Sequence, residues 1–122
     1  MKLDQDLVRQ ILLGIEASDE SPQHWVSFDL PGTPRETVSY HIQLLHEAGL
    51  IVGQDTSSLS DYRWEAKRLT YSGHEFLDTI RDSGVWRATK SAAAKAGGAS
   101  ISFLWEIAKA ELRGRLGLPP GQ

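Results

Sequence analysis

The residues whose types and spacing first suggest chemistry form the segment His74-Glu75-x-x-Asp78. On a helix, His74 and Asp78 share a face and could chelate a metal ion, in the manner of the zinc-binding H-E-x-x-H helix. A third ligand is missing, however, and a carboxylate stands where the second histidine belongs. The pattern therefore favours the solvated first turn of a helix, and no metal site is predicted.

The sequence contains no recognisable motif for nucleophilic catalysis or for phosphate binding. The serines lack the flanking glycines of a nucleophile elbow, and Gly97-Gly98 is not followed by the Lys-Ser/Thr of a P-loop. The chain contains no cysteine, which excludes thiol catalysis and cysteine-ligated metals and fits a reducing cytoplasm. The sequence therefore predicts a non-enzymatic cytoplasmic protein with no catalytic residue and no cofactor.

The length and net charge of the chain further restrict the class of protein to which it can belong. The chain has 122 residues, of which 40% are hydrophobic, and a formal net charge of -3, so we expect one compact core and no coating of nucleic acid by charge alone. The start MKLDQDLVRQ carries acidic residues, and no apolar run is long enough to span a membrane. We expect a soluble, unprocessed protein without a membrane partner.

Helical periodicity predicts a first helix over residues 3 to 16, with Asp4 and Asp6 at its positive end. The segment HWVSFDLPGTP predicts a short strand and a turn. A second helix is predicted over residues 34 to 48, because Thr33 and Glu36 form a capping box and Gly49 suits a left-handed stop. His41 is interpreted as a hydrogen-bonded structural residue turned toward the first helix, or alternatively as a phosphate contact.

The remaining chain predicts two strands joined by an exposed loop and then three helices. The first of these helices is capped by Thr70 or Ser72 and ends near Ser83 and Gly84, and the others cover residues 85–96 and 100–116. The fold class is α+β and mostly helical. We expect three parts: residues 1–84 as one domain, 85–116 as a helical extension packing on that domain or on a dimer partner, and 117–122 as a flexible tail.

The stretch ETVSYHIQLLHEAGLI at 36–51 resembles the recognition helix and the start of the wing in bacterial winged-helix regulators. The order helix, strand, helix, two-stranded ribbon, helix agrees with that likeness, as does Leu69-Thr70-x-x-Gly73 after the ribbon. The resemblance implies a winged-helix domain with a two- or three-stranded β-wing and additional C-terminal helices.

On this resemblance, the outward face of the second helix reads the major groove of double-stranded DNA and the wing contacts phosphates. The expected DNA-binding residues are Arg35, Ser39, Tyr40, Gln43 and His46 on the helix, and Arg63, Lys67 and Arg68 on the wing.

Two features leave the alternative of a protein-binding adaptor open. A helix-turn-helix needs a supporting helix before the recognition helix, and HWVSFDLPGTP reads as strand and turn in that place. Either the start of segment 34–48 bends into a short supporting helix, or one continuous helix stands there and the domain serves another purpose. From residue 35 to residue 68, four basic residues face five acidic ones.

Four separated blocks, MKLDQDLVRQILLGIE, YHIQLLHEAGLI, LTYSGHEFLDTIRD and Val85-Trp86 with Lys90, are similar to a family of bacterial and prophage-encoded proteins classed as a domain of unknown function. This resemblance implies a winged-helix fold and a phage or mobile-element setting. The interpretation is then a DNA-binding, phage-related transcription regulator, or alternatively an adaptor or host-factor modulator without DNA binding.

Charge and hydropathy also distinguish the end of the chain. Residues 86–122 hold six basic and two acidic residues, whereas residues 1–85 hold seven and fourteen. The last helix carries an apolar set that could find its partner in a second subunit, which predicts a homodimer. This set is Ile101, Trp105, Leu112 and Leu116.

Overall fold

The computed structural model describes residues 1–28 and 30–119. The described residues form five helices and one two-stranded antiparallel sheet, a mixed and mostly helical α+β architecture. The elements are α1 (Gln5–Ala17), α2 (Arg35–Glu47), β1 (Ile51–Asp55), β2 (Trp64–Leu69), α3 (Tyr71–Ile80), α4 (Ser83–Lys95) and α5 (Ile101–Arg115).

The chain divides into two compact units, Met1–His74 (unit 1) and Glu75–Gln122 (unit 2), with the division inside α3. The predicted boundary at residue 84 lies beyond the end of α3 and stays a prediction. The predicted tail at 117–122 is described only to residue 119, and its last three residues lie outside the described part. Within the described residues, no helix is both long and apolar enough to cross a membrane.

The two helices of unit 1 form where the periodicity predicts them. Asp4 caps α1 by accepting a hydrogen bond from the Leu7 N–H at 3.2 Å. One stripe of α1 and one stripe of α2 are buried, and both helices pack on the strands. The buried apolar residues of these two stripes are Leu7, Val8, Ile11, Leu12 and Ile15 in α1, and Ile42 and Leu45 in α2.

Both buried polar side chains in the described part of unit 1 belong to α2. His41 accepts a hydrogen bond from the Asp4 N–H through Nε2 at 2.8 Å and donates from Nδ1 to the Thr37 carbonyl at 2.8 Å. Ser39 accepts from the Trp64 N–H at 3.2 Å. The structural interpretation of His41 is therefore confirmed, and α2 is anchored to α1 on one side and to β2 on the other.

The start of α2 differs from the capping-box prediction. Its N-cap is Pro34, and no side chain caps the first turn. Thr33 lies one position too early to serve, because helical backbone begins only at Arg35. The helix then continues without a break to Glu47. Of the two alternatives, a bent start with a short supporting helix or one continuous helix, the structure has the continuous helix. Gly49 follows with φ of 78°, the left-handed stop that the sequence predicts.

The short strand predicted within HWVSFDLPGTP is reduced to a single bridge in the described residues of that segment. Among the described residues of this segment, Val26 alone pairs with the sheet, as an isolated bridge in which its N–H donates to the Ala66 carbonyl at 2.8 Å. Its neighbours Trp25 and Ser27 are exposed and belong to no strand. No helix stands in the described residues between α1 and α2, so the supporting helix of a helix-turn-helix is missing from them.

Strands β1 and β2 with the loop between them, residues 51–69, form a hairpin that we call the ribbon. Its register pairs Val52 with Arg68 but Gly53 with Ala66, so Lys67 is an extra residue on β2. This bulge resets the alternation, because Ala66 and Leu69 are both buried although they lie three positions apart. The alternation of buried and outward side chains along β2 is therefore interrupted at Lys67.

A close backbone contact holds the end of the ribbon to the start of α3. The Thr70 N–H donates to the Leu50 carbonyl at 3.0 Å, and the Thr70 hydroxyl donates to the Gly49 carbonyl at 2.6 Å while accepting from the Gly73 N–H. A Cβ atom at Gly73 would lie 1.9 Å from the Leu50 carbonyl oxygen. Only glycine fits this position.

Unit 2 contains the rest of α3 and the helix pair α4 and α5, which pack against each other. Asp82 caps α4 and Ser100 caps α5, each by accepting a hydrogen bond from the N–H three residues later in the chain. Gly97 and Gly98 adopt positive φ between the two helices. The predicted helices at 85–96 and 100–116 are thus confirmed, whereas α3 ends at Ile80, before the predicted Ser83.

We expect His41→Leu to lower the free energy of unfolding by about 1–3 kcal/mol, because it leaves the Asp4 N–H without its acceptor. Urea unfolding measures the loss. The matched control is His24→Leu, since the His24 side chain is 69% exposed. Equal stability of the two variants would contradict an anchoring role for His41.

Gly73→Ala should destabilise the protein by at least about 2 kcal/mol, because the new Cβ meets backbone that cannot rotate away. Gly114→Ala is the control: that helical glycine has open space around it, and alanine there should be neutral or stabilising by up to about 1 kcal/mol. Thermal unfolding of both variants tests the pair. A Gly73→Ala variant as stable as the parent chain would show that Leu50 moves freely.

Candidate functional site

The exposed side of α2 and the adjoining ribbon loop make the candidate site. Helical spacing places Glu36, Tyr40, Gln43 and Glu47 along one outward stripe of α2, and Tyr62 of the ribbon loop lies against it. We call these five residues the α2–ribbon face. Glu36 and Glu47 are exposed, and the other three residues of the face, Tyr40, Gln43 and Tyr62, are half-buried.

A chain of hydrogen bonds organises this face. The Tyr62 hydroxyl donates to the Gln43 side-chain carbonyl, and the Gln43 amide donates to the Glu47 carboxylate at 3.0 Å. Both polar ends of Gln43 are therefore engaged within the protein. Reading a purine edge with Gln43 would require breaking these bonds.

The electrostatics of the face are acidic. The pKa of Tyr62 is raised, first by desolvation and then by the charges of Asp55, Tyr40, Glu47 and Glu36. Hydrogen bonds from the Ser57 side chain and backbone lower the pKa of Asp55, so this carboxylate stays ionised across the neutral range. The face offers carboxylates and phenols, which repel phosphate and attract cations.

Two of the three predicted arginines, Arg35 and Arg63, lie near the same carboxylate, that of Asp61. Arg35 is 67% exposed and its Nη1 lies 4.0 Å from Asp61 Oδ2, while Arg63 Nε lies 3.5 Å from the same oxygen. Arg63 Nη1 also lies 3.8 Å from Glu65 Oε1. Nearby acidic side chains thus offset the positive charge that the DNA-binding interpretation assigns to this edge.

The other predicted DNA-binding residues of α2, Ser39 and His46, do not join Tyr40 and Gln43 on the α2–ribbon face. Ser39 is buried and its hydroxyl faces Trp64, so it does not reach the outward face with Tyr40. His46 is exposed, but its Nδ1 accepts from the Gly53 N–H at 3.1 Å and its ring lies 5.4 Å from that of Trp64.

The remaining two wing residues are occupied by contacts within unit 1. The Lys67 ammonium lies 4.5 Å from the centre of the Trp25 ring, a cation–π contact. Arg68 is exposed and donates from Nη1 to the Leu69 carbonyl at 3.1 Å. Of the eight predicted residues, Tyr40 and Gln43 belong to the α2–ribbon face, and the others lie beside or beneath it.

No group of three or more His, Asp or Glu side chains in the described ranges is arranged to hold a metal ion.

In unit 2, some of the residues predicted to form a dimer interface contact other residues of the unit, and others are exposed to solvent. Trp105 packs edge-on against Phe76 at 5.6 Å between ring centres, whereas Leu116 is exposed and Ile101 is half-buried. The homodimer stays a prediction.

Sequence reasoning missed Glu36, Glu47, Asp61 and Tyr62 as site residues. The spacing of Glu36 and Glu47 with Tyr40, at i, i+4 and i+11, was a readable signal that they share an outward stripe. The approach of Asp61 and Tyr62 to α2 had no such signal, because it depends on how the ribbon loop folds back.

Comparison with known proteins gives a family and one relative. The sequence model of a family described as "Hypothetical protein (DUF2513)" matches residues 2–100. A Haemophilus influenzae protein described as "Uncharacterized protein" is 44% identical over 91 residues, which cover 75% of this chain and 77% of the relative. No solved structure matches the chain.

The raised pKa of Tyr62 predicts a loss of stability at alkaline pH. The folded state holds this proton more tightly than the unfolded state, so the contribution is fully present below about pH 10 and is lost as the pH rises through the pKa of the folded state. Urea unfolding as a function of alkaline pH, for the parent chain and Tyr62→Phe, measures it. The stability advantage of the parent chain should shrink as the pH rises, and parallel curves would contradict the assignment.

Proposed function

Because this chain belongs to the Hypothetical protein (DUF2513) family, whose description states no activity, we propose its function from the α2–ribbon face. We propose that the protein is a non-enzymatic interaction module that binds a basic surface of a partner protein through this face. The scaffold is a winged-helix-like unit in which α2 takes the place of the recognition helix and the ribbon takes the place of the wing.

The order of elements supports the winged-helix interpretation. Helix α1, the bridge at Val26, helix α2, the hairpin and the start of α3 follow one another as in that fold, and Gly49 turns α2 directly into β1. The departure is the stretch before α2, which holds no helix in its described residues. A scaffold of this kind presents α2 to a partner without the helix that sets a recognition helix in the major groove.

The single observation that carries the proposal is the bonded chain Tyr62–Gln43–Glu47 on an exposed acidic stripe. Side chains already fixed by hydrogen bonds lose little conformational entropy on binding. Tyrosines are enriched at protein interfaces because each supplies a rigid apolar ring and a polar hydroxyl. Tyr40 and Tyr62 fit that role.

Charge complementarity specifies the partner. Glu36 lies in the first turn of α2 and Glu47 is its last residue, so carboxylates stand near both ends of the stripe. A partner carrying lysine or arginine at two points around an apolar patch would match this arrangement, with the charges steering its approach.

DNA binding is the second candidate, and the continuous helix beside a hairpin favours it together with exposed Arg35 and Arg68. The position of the Glu36 and Glu47 carboxylates argues against DNA binding. A helix docked in the major groove through this stripe would bring Glu36 and Glu47 toward the phosphate backbone. DNA binding, a transcriptional role and a phage setting stay predictions.

Selection from a random peptide library on the immobilised full chain tests the proposed function. The selected peptides should carry lysine or arginine near an aromatic or aliphatic residue. Affinity for a selected peptide should fall by about tenfold or more in the double variant Glu36→Gln/Glu47→Gln, because both charges are lost while both side chains keep their shape.

Glu75→Gln is the matched control, since it removes one exposed carboxylate that belongs to unit 2 and is not a member of the α2–ribbon face. It should leave the affinity unchanged. Tyr40→Ala should also weaken binding, by removing an aromatic ring from the centre of the stripe. Selected peptides that lack basic residues, or that bind the double variant as tightly as the parent chain, would overturn the proposal.

A further inference from the structure

The side of α5 that is exposed to solvent carries an aromatic ring at one end and glycines at the other. Phe103 in the first turn is 47% exposed, and Ala110 beyond the middle of the helix is also exposed. Helical spacing places Phe103, Ala110 and Gly114 on this side, and Gly117 follows just after the helix ends. We call this surface the α5 outer face. Its residues are Phe103, Glu106, Ala110, Arg113, Gly114 and Gly117.

The glycines of the α5 outer face leave open space. A Cβ atom at Gly114 or Gly117 would meet no described residue within 4 Å apart from its neighbours in the chain. Gly117 has a φ of 69°, which favours glycine, whereas Gly114 lies inside α5 and is not among the glycines with positive φ. Glycine inside a helix is less favourable than alanine, and the contacts within the chain do not require it at Gly114. The missing side chain lets a second helix or a bulky ring approach closely.

Two opposite charges lie on the same face. Glu106 is 69% exposed and Arg113 is exposed, two helical turns further along. The Lys109 Nζ atom lies 2.8 Å from Glu106 Oε1, and Arg113 donates from Nη1 to the Pro119 carbonyl at 3.2 Å. Each of these contacts is at the surface and engages one atom of the charged group, so the group can accept a second partner.

The arrangement complements itself. A twofold-symmetric pair requires that each residue of a patch meet its counterpart from the other copy in the same way. Glu106 and Arg113 lie equally far on either side of a point between Lys109 and Ala110. When two α5 helices lie antiparallel about that point, Glu106 of each copy faces Arg113 of the other. The same operation brings Phe103 of each copy to the open surface at the glycines of the other.

We propose that the α5 outer face binds the same face of a second copy of this chain, forming an antiparallel homodimer. Apolar contact comes from Phe103 against the glycines, Ala110 lets the two backbones approach, and the Glu106–Arg113 pairs set the register. This surface differs from the apolar set that the sequence suggests, whose Trp105 packs against Phe76. The dimer goes beyond the interaction function and does not rest on it.

The size of the interface sets the strength to expect. Helix α5 has 15 residues, and one pair of such helices lies at the small end of specific interfaces. We therefore expect a dissociation constant between about 1 µM and 1 mM. Such a dimer is visible at high protein concentration and dissociates on dilution.

Sedimentation equilibrium of the full chain over this concentration range is the first test. The average mass should rise from that of one chain, 13.5 kDa, toward twice that value. Phe103→Ser should weaken self-association by about tenfold or more, because it removes the apolar anchor. The matched control is Leu59→Ser, which changes a fully exposed apolar residue of unit 1 and should leave self-association unchanged.

A charge exchange tests the register. Glu106→Arg alone and Arg113→Glu alone each place like charges opposite one another, and each should weaken the dimer by about tenfold or more. The double variant Glu106→Arg/Arg113→Glu restores opposite charges across the interface, and should recover the parent affinity within about threefold. Residues seven apart on one helix are not neighbours, so an effect inside the helix would not be restored in this way.

The proposal is overturned if the parent chain stays monomeric throughout the range, or if Phe103→Ser and Leu59→Ser have equal effects. It is also overturned if the double charge exchange, with an unchanged melting temperature, fails to recover the affinity that the single variants lose. None of these results bears on peptide binding by the α2–ribbon face, so the two proposals fail separately.

Discussion

The anchoring of α2 through two buried polar side chains is the constraint on which the rest of unit 1 depends. His41 accepts from the backbone at the start of α1, and Ser39 accepts from the backbone at the start of β2. Both bonds are directional, and both acceptor side chains, His41 and Ser39, are buried. They fix the rotation of α2 about its axis, and thereby which side chains face outward.

That rotation decides what the outward face can recognise. With Ser39 and Ile42 inward, the stripe from Glu36 to Glu47 points to solvent and meets Tyr62. The hydrogen-bond chain through Gln43 then links helix and ribbon into one surface. Such a surface is acidic and aromatic at once, which suits a basic protein partner and opposes the phosphates of a duplex.

Much of the helical framework could be predicted from local sequence, because caps and periodicity act over a few residues. Gly49 and the stripe with Ile42 and Leu45 follow from such rules. Ser39 could not be predicted as buried, since its partner is the distant Trp64 N–H. Likewise the bulge at Lys67 depends on pairing between strands and leaves no clear trace in composition.

The candidate site shows the same difference between local features, which the sequence predicts, and long-range contacts, which it does not. The basic residues of the winged-helix resemblance are identifiable in the sequence, but the carboxylates that lie beside Arg35 and Arg63 are not. Arg35 and Asp61 are separated by a whole helix and half a hairpin in sequence, yet they lie within ion-pair distance. A prediction that counts arginines alone leaves out the carboxylate neighbours, which lower the local positive potential.

The most direct test of the central claim is the salt dependence of binding to a short mixed-sequence DNA duplex, measured by fluorescence anisotropy. The parent chain is compared with the charge-reversed variant Glu36→Lys/Glu47→Lys. The parent chain should show no salt-sensitive binding at low ionic strength, and the variant should gain such binding. Tight binding by the parent chain that falls steeply with added salt would contradict it.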